Sequence, residues 1–195
     1  NGGQLGSGQR QDQNVLEKMV GADAARHLWD LGEDAKALVR GLIVKHGIDC
    51  HLRDGIAWAA SRPADATDLH AYAAHLTARY GYEQMTALDQ DAFHALCPSP
   101  DYVGGVLDMG AAHLHPLRLA LGLAEAAASA GVRIHERSHV HDIRHGPKVT
   151  VRTDEGHVVA DQVILAGNGY LGGLDRQVTS RVLPINNYVV ATEPL

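Results

Sequence analysis

Residues Val158–Leu171 read VVADQVILAGNGYL, and within them Val163, Ile164, Leu165 and Ala166 form an unbroken apolar tetrad closed by Gly167, Asn168 and Gly169. A half-exposed strand alternates apolar and polar residues, so a continuous apolar run predicts a strand buried on both faces of a parallel or mixed sheet. Small turn residues directly after such a strand bring backbone amides to the carboxyl edge of the sheet, where open α/β sheets hold their ligands. The stretch reads either as the floor of a cofactor site or as an ordinary core strand with a glycine turn, since a short apolar run serves both.

Working outward, the residues before this stretch are β-rich. Val132–His135, Val140–Arg144 and Lys148–Arg152 read as strands joined by Gly146-Pro147 and followed by the turn Asp154-Glu155-Gly156, an antiparallel meander leading into the buried return strand. Ahead of them, Pro116 suits the first position of a helix that runs to about Ala130 and ends at Gly131; its alanine content lets it pack close to a sheet. We expect that helix to cover a sheet holding Val132–His135 and Val163–Ala166. A second β-rich layer is expected from Ile48–Ala60, read as a hairpin about Asp54-Gly55, and from Tyr102–Met109.

The first half alternates helix and extended chain. Asn1–Gln13 is glycine- and glutamine-rich and reads as a flexible loop able to wrap a ligand. A short helical turn is expected near Val15–Val20. From Asp23 to His46, residues Leu28, Leu31, Ala35, Leu38, Val39 and Leu42 mark one apolar helical face and Arg26, Glu33, Lys36 and Arg40 the remainder, with Asp23 as N-cap, an easing at Gly32 and Gly47 as the closing residue. Pro63–Gly81 is helical in period, Tyr82–Leu88 extended, and Asp89 caps a short helix stopped by Pro98. Arg181–Pro194 suggests two short extended pieces.

Composition bounds the function. The chain has 195 residues, 45% hydrophobic and 21% charged, which is ordinary for a soluble globular fold of one domain or two small ones. No apolar run reaches the ~20 residues of a membrane helix, and Cys50 and Cys97 stand outside any Cys-x-x-Cys pattern; a cytoplasmic location is expected. A net charge of -6 with singly scattered basic residues argues against nucleic acid. The chain opens on Asn1-Gly2-Gly3 without Met and closes on Pro194-Leu195 directly after an apolar run, so an internal piece of a longer protein is expected.

Thirteen histidines raise the question of a metal. His113 and His115 alternate as strand ligands would, yet His139, His141 and His145 offer no recognisable ligand spacing, and Pro116 gives His115 a capping role. His139-Val140-His141 follows a helix-strand unit, where Val140 could present its main chain to a planar ring; a plain edge strand with solvated imidazoles is the other reading. Neither a Gly-x-Ser-x-Gly elbow nor a Gly-x-x-x-x-Gly-Lys loop occurs.

Asn1-Gly2-Gly3-Gln4 resembles the end of the Ser-x-x-Asn-Gly-Gly motif of the FAD-dependent D-amino-acid-oxidase-like family. Gly105-Val106-Leu107-Asp108 with His113-Leu114-His115-Pro116 resembles that family's strand-to-helix passage. Gly131–Ile134 through His139-Val140 resembles the strand whose valine main chain meets the flavin's adenine, and Val163–Tyr170 the stretch beside the cofactor. Pro184 and Ala191-Thr192-Glu193-Pro194-Leu195 match most closely the gamma-glutamylputrescine-oxidase-like branch.

The resemblance implies a mixed α/β fold: the central part of a Rossmann-like FAD-binding domain interleaved with an antiparallel substrate domain. Residues 1–47 and 111–173 would belong to the former, 48–110 and 174–195 to the latter. It implies FAD as cofactor, held by Asn1, Gly2, Gly3, Gln4, Val140, Ala166, Gly167 and Asn168. It further implies oxidation of an amine or amino acid, hydrolysis of the imine, and molecular oxygen as acceptor with release of peroxide. Substrate-facing surface would come from Ile48–Ala60, Tyr82–Met85 and Tyr102–Asp108; no catalytic acid or base is carried over. The βαβ unit with the glycine fingerprint is missing from the matched pattern, so this piece alone is expected to be inactive and to bind FAD weakly. Two other readings stand beside it: a non-catalytic binding or assembly module on the same framework, and a zinc hydrolase using His113 and His115.

Overall fold

The computed structural model describes residues 2–185 and 188–190. The chain forms two compact units, Asn1–Val132 and Arg133–Leu195, both mixed or β in content.

In the first unit, β1 (Gln4–Leu5) leads to α1 (Gln13–Val20), α2 (Ala22–His46), β2 (Arg53–Ala60), α3 (Pro63–Tyr80), β3 (Met85–Leu88), α4 (Gln90–Leu96), β4 (Gly104–His113) and α5 (Pro116–Ser129). The helices end where local chemistry dictates. Gly47 and Gly81 take left-handed φ of 60° and 65° and turn their amides back onto the last helical carbonyls, and the Asp89 carboxylate accepts from Ala92 N at α4. Gly21, not Asp23, is the residue before α2. That helix also runs unbroken through Gly32, where a Cβ would lie 2.7 Å from Gly8 O; the glycine serves close approach of a loop rather than a bend.

β4 is the centre of an antiparallel sheet. It pairs with β2 along one edge and with β3 and β1, end to end, along the other. Ile48–Ala60 is therefore not a hairpin: Asp54-Gly55 lies inside a single strand, opposite β4. Ala112 pairs with Asp54 and Asp108 with Ile56, so Met109, Gly110 and Ala111 face the single residue Gly55, which takes φ 99°. The sheet's inner face carries Val106 and Met85, packed with Trp29, Ala73, Leu76 and Tyr82 from and beside α2 and α3. Burial of this apolar cluster is the main stabilising term of the unit. On α2 the buried residues are Ala25, Trp29, Lys36 and Ile43, while Leu31 and Leu38 are 62% exposed; the face turned inward is thus not the one marked by leucine spacing.

The second unit holds β5 (Val140–Arg144), β6 (Val149–Thr153) and β7 (His157–Ala160) as an antiparallel meander, followed by a 3-10 turn at Asn168–Tyr170 and α6 (Arg176–Thr179). Of the three strands expected in the meander, Val140–Arg144 and Lys148–Arg152 form, as β5 and β6, and of the expected return strand only the start is paired, as part of β7. β7 stops at Ala160, paired to Val149, where β6 itself begins. Val163–Ala166 continues without regular structure, and Ile164 is 89% exposed. Val132–His135 likewise forms no strand, with Val132 and Ile134 exposed. An apolar run becomes a buried parallel strand only between two neighbours, and no described residues supply them. Consistently, α5 buries none of its residues and covers no such sheet. Val182–Ile185 and Tyr188–Val190 show no extended pairing, and Ala191–Leu195 lies outside the described residues.

Candidate functional site

The bulge in β4 creates a local demand for hydrogen bonds. Between β3 and β1 its edge has no partner strand, and the amides of Gly110 and Ala111 donate instead to Oδ1 of Asp108, at 3.0 and 3.2 Å. Asp108 is fully buried, and its Oδ2 has no partner among the described residues. Burying a carboxylate is unfavourable unless donors converge on it, and a third donor is present: the Tyr82 hydroxyl, 2.5 Å from Oδ1.

Tyr82 stands just before β3 and Ser7 just after β1, so the end-to-end placement of these strands brings the two together. Their hydroxyls are 2.7 Å apart. Lys36 of α2, 8% exposed, donates from Nζ to Ser7 Oγ at 2.8 Å and pairs with Glu33 at 2.8 Å. Glu33 in turn accepts from Gly8 N. The ammonium also lies 5.3 Å from the centre of the Tyr82 ring, whose edge-on neighbour is Trp29. Burial first, and then the Asp108 carboxylate, push the Tyr82 hydroxyl far above the ordinary phenol range, so it stays a donor. Burial likewise raises Tyr72 to about 12.

On the other side of the sheet lie Ala57, Ala59, Thr86, Leu107 and Met109. Ala57 and Thr86 both pair with Leu107, and a Cβ on Gly55 would touch Met109 Sδ and Leu107 Cδ1. This face is open, small and apolar, with Met109 46% exposed. A separate cleft of ≈ 580 Å³ at the end of α2 and along α5 is lined by His46, Asp49, Arg118 and Glu125 among others, but Arg118 and Asp49 pair with each other at 2.9 Å.

The residues expected at a cofactor fall into two groups, one in each unit. Gly3 is buried, with φ 82°, and its carbonyl accepts from Leu114 N at 2.8 Å; a Cβ there would collide with Leu114 O. Gln4 pairs with His113, Gly2 is exposed, and Asn1 lies outside the described residues. In the second unit, Val140 opens β5, while Ala166, Gly167 and Asn168 are exposed. Gly167 has φ −76°, and the left-handed residue is Asn168 at 48°. Taken unit by unit, neither Gly2–Gln4 nor Val140 with Ala166–Asn168 carries a carboxylate; each group offers main-chain and neutral amide groups, a chemistry that fits a dinucleotide's pyrophosphate and ribose.

His113 Nδ1 lies 3.0 Å from Gly55 O, and His115 caps α5 by accepting from Arg118 N. Among the described residues no group of three or more His, Cys, Asp or Glu could hold a metal. Sequence reasoning missed Lys36 and Ser7, and it placed Asp108 in a substrate-facing stretch, whereas its side chain is buried. The signal for Asp108 was a lone acid inside an apolar strand; for Lys36, set on a helix's polar side, there was none.

Comparison with known proteins shows the family of the chain. The family model described as "FAD dependent oxidoreductase" (DAO) matches residues 1–195. Gamma-glutamylputrescine oxidoreductase of Escherichia coli is 36% identical over 100% of this chain and 46% of its own length. A probable oxidoreductase, OrdL, of Rhizobium meliloti is 34% identical over the same shares. The chain thus spans about half the length of the curated relatives it matches. Among solved structures, glycine oxidase from Geobacillus kaustophilus superposes with a TM-score of 0.66 at 25% identity, covering 91% of this chain and 46% of that one. L-amino acid deaminase from Proteus vulgaris shares the fold, with a TM-score of 0.67 at 17% identity over 91% and 45%.

Proposed function

The chain belongs to the DAO family of FAD-dependent oxidoreductases, and from that premise we propose that the full-length protein oxidises an amine or amino acid with oxygen as acceptor. A gamma-glutamylputrescine-like amine is its first candidate substrate. The observation that carries this reading is the 36% identity, along the entire chain, to gamma-glutamylputrescine oxidoreductase.

FAD, when bound, supplies the two-electron acceptor for the carbon that bears the nitrogen. The chain's own residues bind and shape. Gly2, Gly3 and Gln4, with Val140, Ala166, Gly167 and Asn168, and Asn1 from outside the described residues, are the groups we assign to the cofactor. The open sheet face of Ala57, Ala59, Thr86, Leu107 and Met109 suits the carbon chain of a substrate, because small and apolar side chains exclude water without imposing charge. Asp108 sits behind that face, away from solvent.

The division of 1–47 and 111–173 to the flavin portion and 48–110 and 174–195 to the substrate portion belongs to the same proposal. So does a cytoplasmic location, supported by the two free cysteines, Cys50 and Cys97. No helix among the described residues is long and apolar enough to cross a membrane.

The test is an oxygen-electrode screen of the flavin-loaded full-length protein across polyamine derivatives, secondary amines and amino acids. Oxygen uptake with peroxide release is expected. Bound flavin with silence toward every compound would favour a non-catalytic module.

A further inference from the structure

Lys36, Ser7, Tyr82 and Asp108 are joined by three hydrogen bonds whose direction is forced. An ammonium only donates and a carboxylate only accepts. Ser7 must therefore take its bond from Lys36 and give its proton to Tyr82, and Tyr82 must give its own to Asp108. Each hydroxyl has one partner on either side. Removing any member leaves a buried donor or acceptor unmatched and disturbs its neighbours, since such a chain acts as one unit.

The position of this chain gives it a role. Gly2–Gly8 is held at one point by β1 on β4, through Gln4 with His113 and Leu5 with Ala112. It is held at a second point by Ser7, and Gly8 N is fixed by Glu33, the partner of Lys36. At the far end, Asp108 fastens the bulge amides next to Met109 on the open face. We propose that Lys36, Ser7, Tyr82 and Asp108 form a positioning device that fixes Gly2–Gln4 against β4, so that flavin affinity depends on residues at the sheet's bulge. This rests on the assignment of Gly2–Gln4 to the flavin given above.

The experiment is fluorescence titration of FAD into the apo form of the full-length protein, with thermal unfolding beside it, for the wild type, Ser7→Ala, Tyr82→Phe, which removes the hydroxyl bonded to both Ser7 and Asp108, and the double variant. Each single change should weaken FAD binding by about tenfold, the scale of one lost hydrogen bond to a charged group. The double variant should be no weaker than the weaker single, because either break frees the same segment. Ser7→Thr, which keeps the hydroxyl, should restore affinity.

Folded variants that bind FAD like the wild type, or effects that multiply to about a hundredfold in the double, would overturn the proposal. Should Tyr82→Phe fail to fold, Lys36→Met, which removes the donor to Ser7, takes its place in the same cycle. A folded wild type that takes up no FAD would overturn the flavin assignment instead. The chain would then be judged on unfolding alone, where additive losses from Ser7→Ala and Tyr82→Phe would refute it.

Discussion

The hydroxyl of Tyr82 donates to Oδ1 of Asp108 over 2.5 Å, and the same oxygen takes the amides of Gly110 and Ala111. One carboxylate oxygen therefore ties the segment before β3 to the irregular centre of β4. Tyr82→Phe keeps the ring and its edge-on contact with Trp29 and removes only the donor. We expect a loss of about 1.5–3 kcal/mol, as for a hydrogen bond to a charged group, read by urea unfolding at neutral pH. A change within about 0.5 kcal/mol, the range of an ordinary surface substitution, would mean that the carboxylate does not depend on Tyr82.

Gly110 has no room for a side chain, because its Cβ would collide with the Tyr82 hydroxyl and approach Gln84 Cβ at 3.0 Å. Gly110→Ala must then displace Tyr82 or the bulge, and should cost at least the ~1–3 kcal/mol typical of overpacking. If the collision is the cause, Gly110→Ala in a Tyr82→Phe background should cost less than in the wild type. Equal costs in the two backgrounds would locate the strain elsewhere.

Glu17 of α1 accepts from the Tyr80 hydroxyl at 2.8 Å and faces His75 at 3.0 Å. Its carboxyl is held below the ordinary value of 4.5, chiefly by Tyr80, with burial opposing and His75 and Arg79 assisting. A folded-state pKa below the unfolded one makes the contribution fully present above the unfolded value and lost as pH falls through the folded one. The stability gap between wild type and Glu17→Gln should hold steady at near-neutral pH and shrink below about pH 4.5. Chemical unfolding across that range reads it, and a gap widening in acid would contradict the sign.

Gly167 has a φ of −76° that any residue can adopt, and an added Cβ would meet Leu171 Cδ1 at 3.3 Å. Gly167→Val should therefore fold. In the full-length protein we expect it to lower flavin occupancy at an unchanged unfolding midpoint, with Val149→Ile in the meander as a control that leaves both alone. Full flavin content in a well-folded Gly167→Val protein would remove Ala166–Asn168 from the site.

The amino-acid sequence by itself determined the features that close within a few residues. Gly47 and Gly81 ended α2 and α3, Pro116 opened α5, Asp89 capped α4, and β5 and β6 lay on either side of the turn at Gly146-Pro147 as expected. Caps and turns act over about four residues, so composition reveals them. The family was also legible, in short motifs spread along the chain.

Tertiary structure decided the rest, because pairing and burial depend on residues far away in sequence. Asp54-Gly55 became part of one strand opposite the bulge of β4 rather than a hairpin when β2 found β4, and Val163–Ala166, apolar enough for a core strand, formed none without neighbours to pair with. Lys36 and Asp108, 72 positions apart by number, became buried partners through Ser7 and Tyr82. A charge enters the interior only where such donors and acceptors converge, and that convergence is a property of the fold.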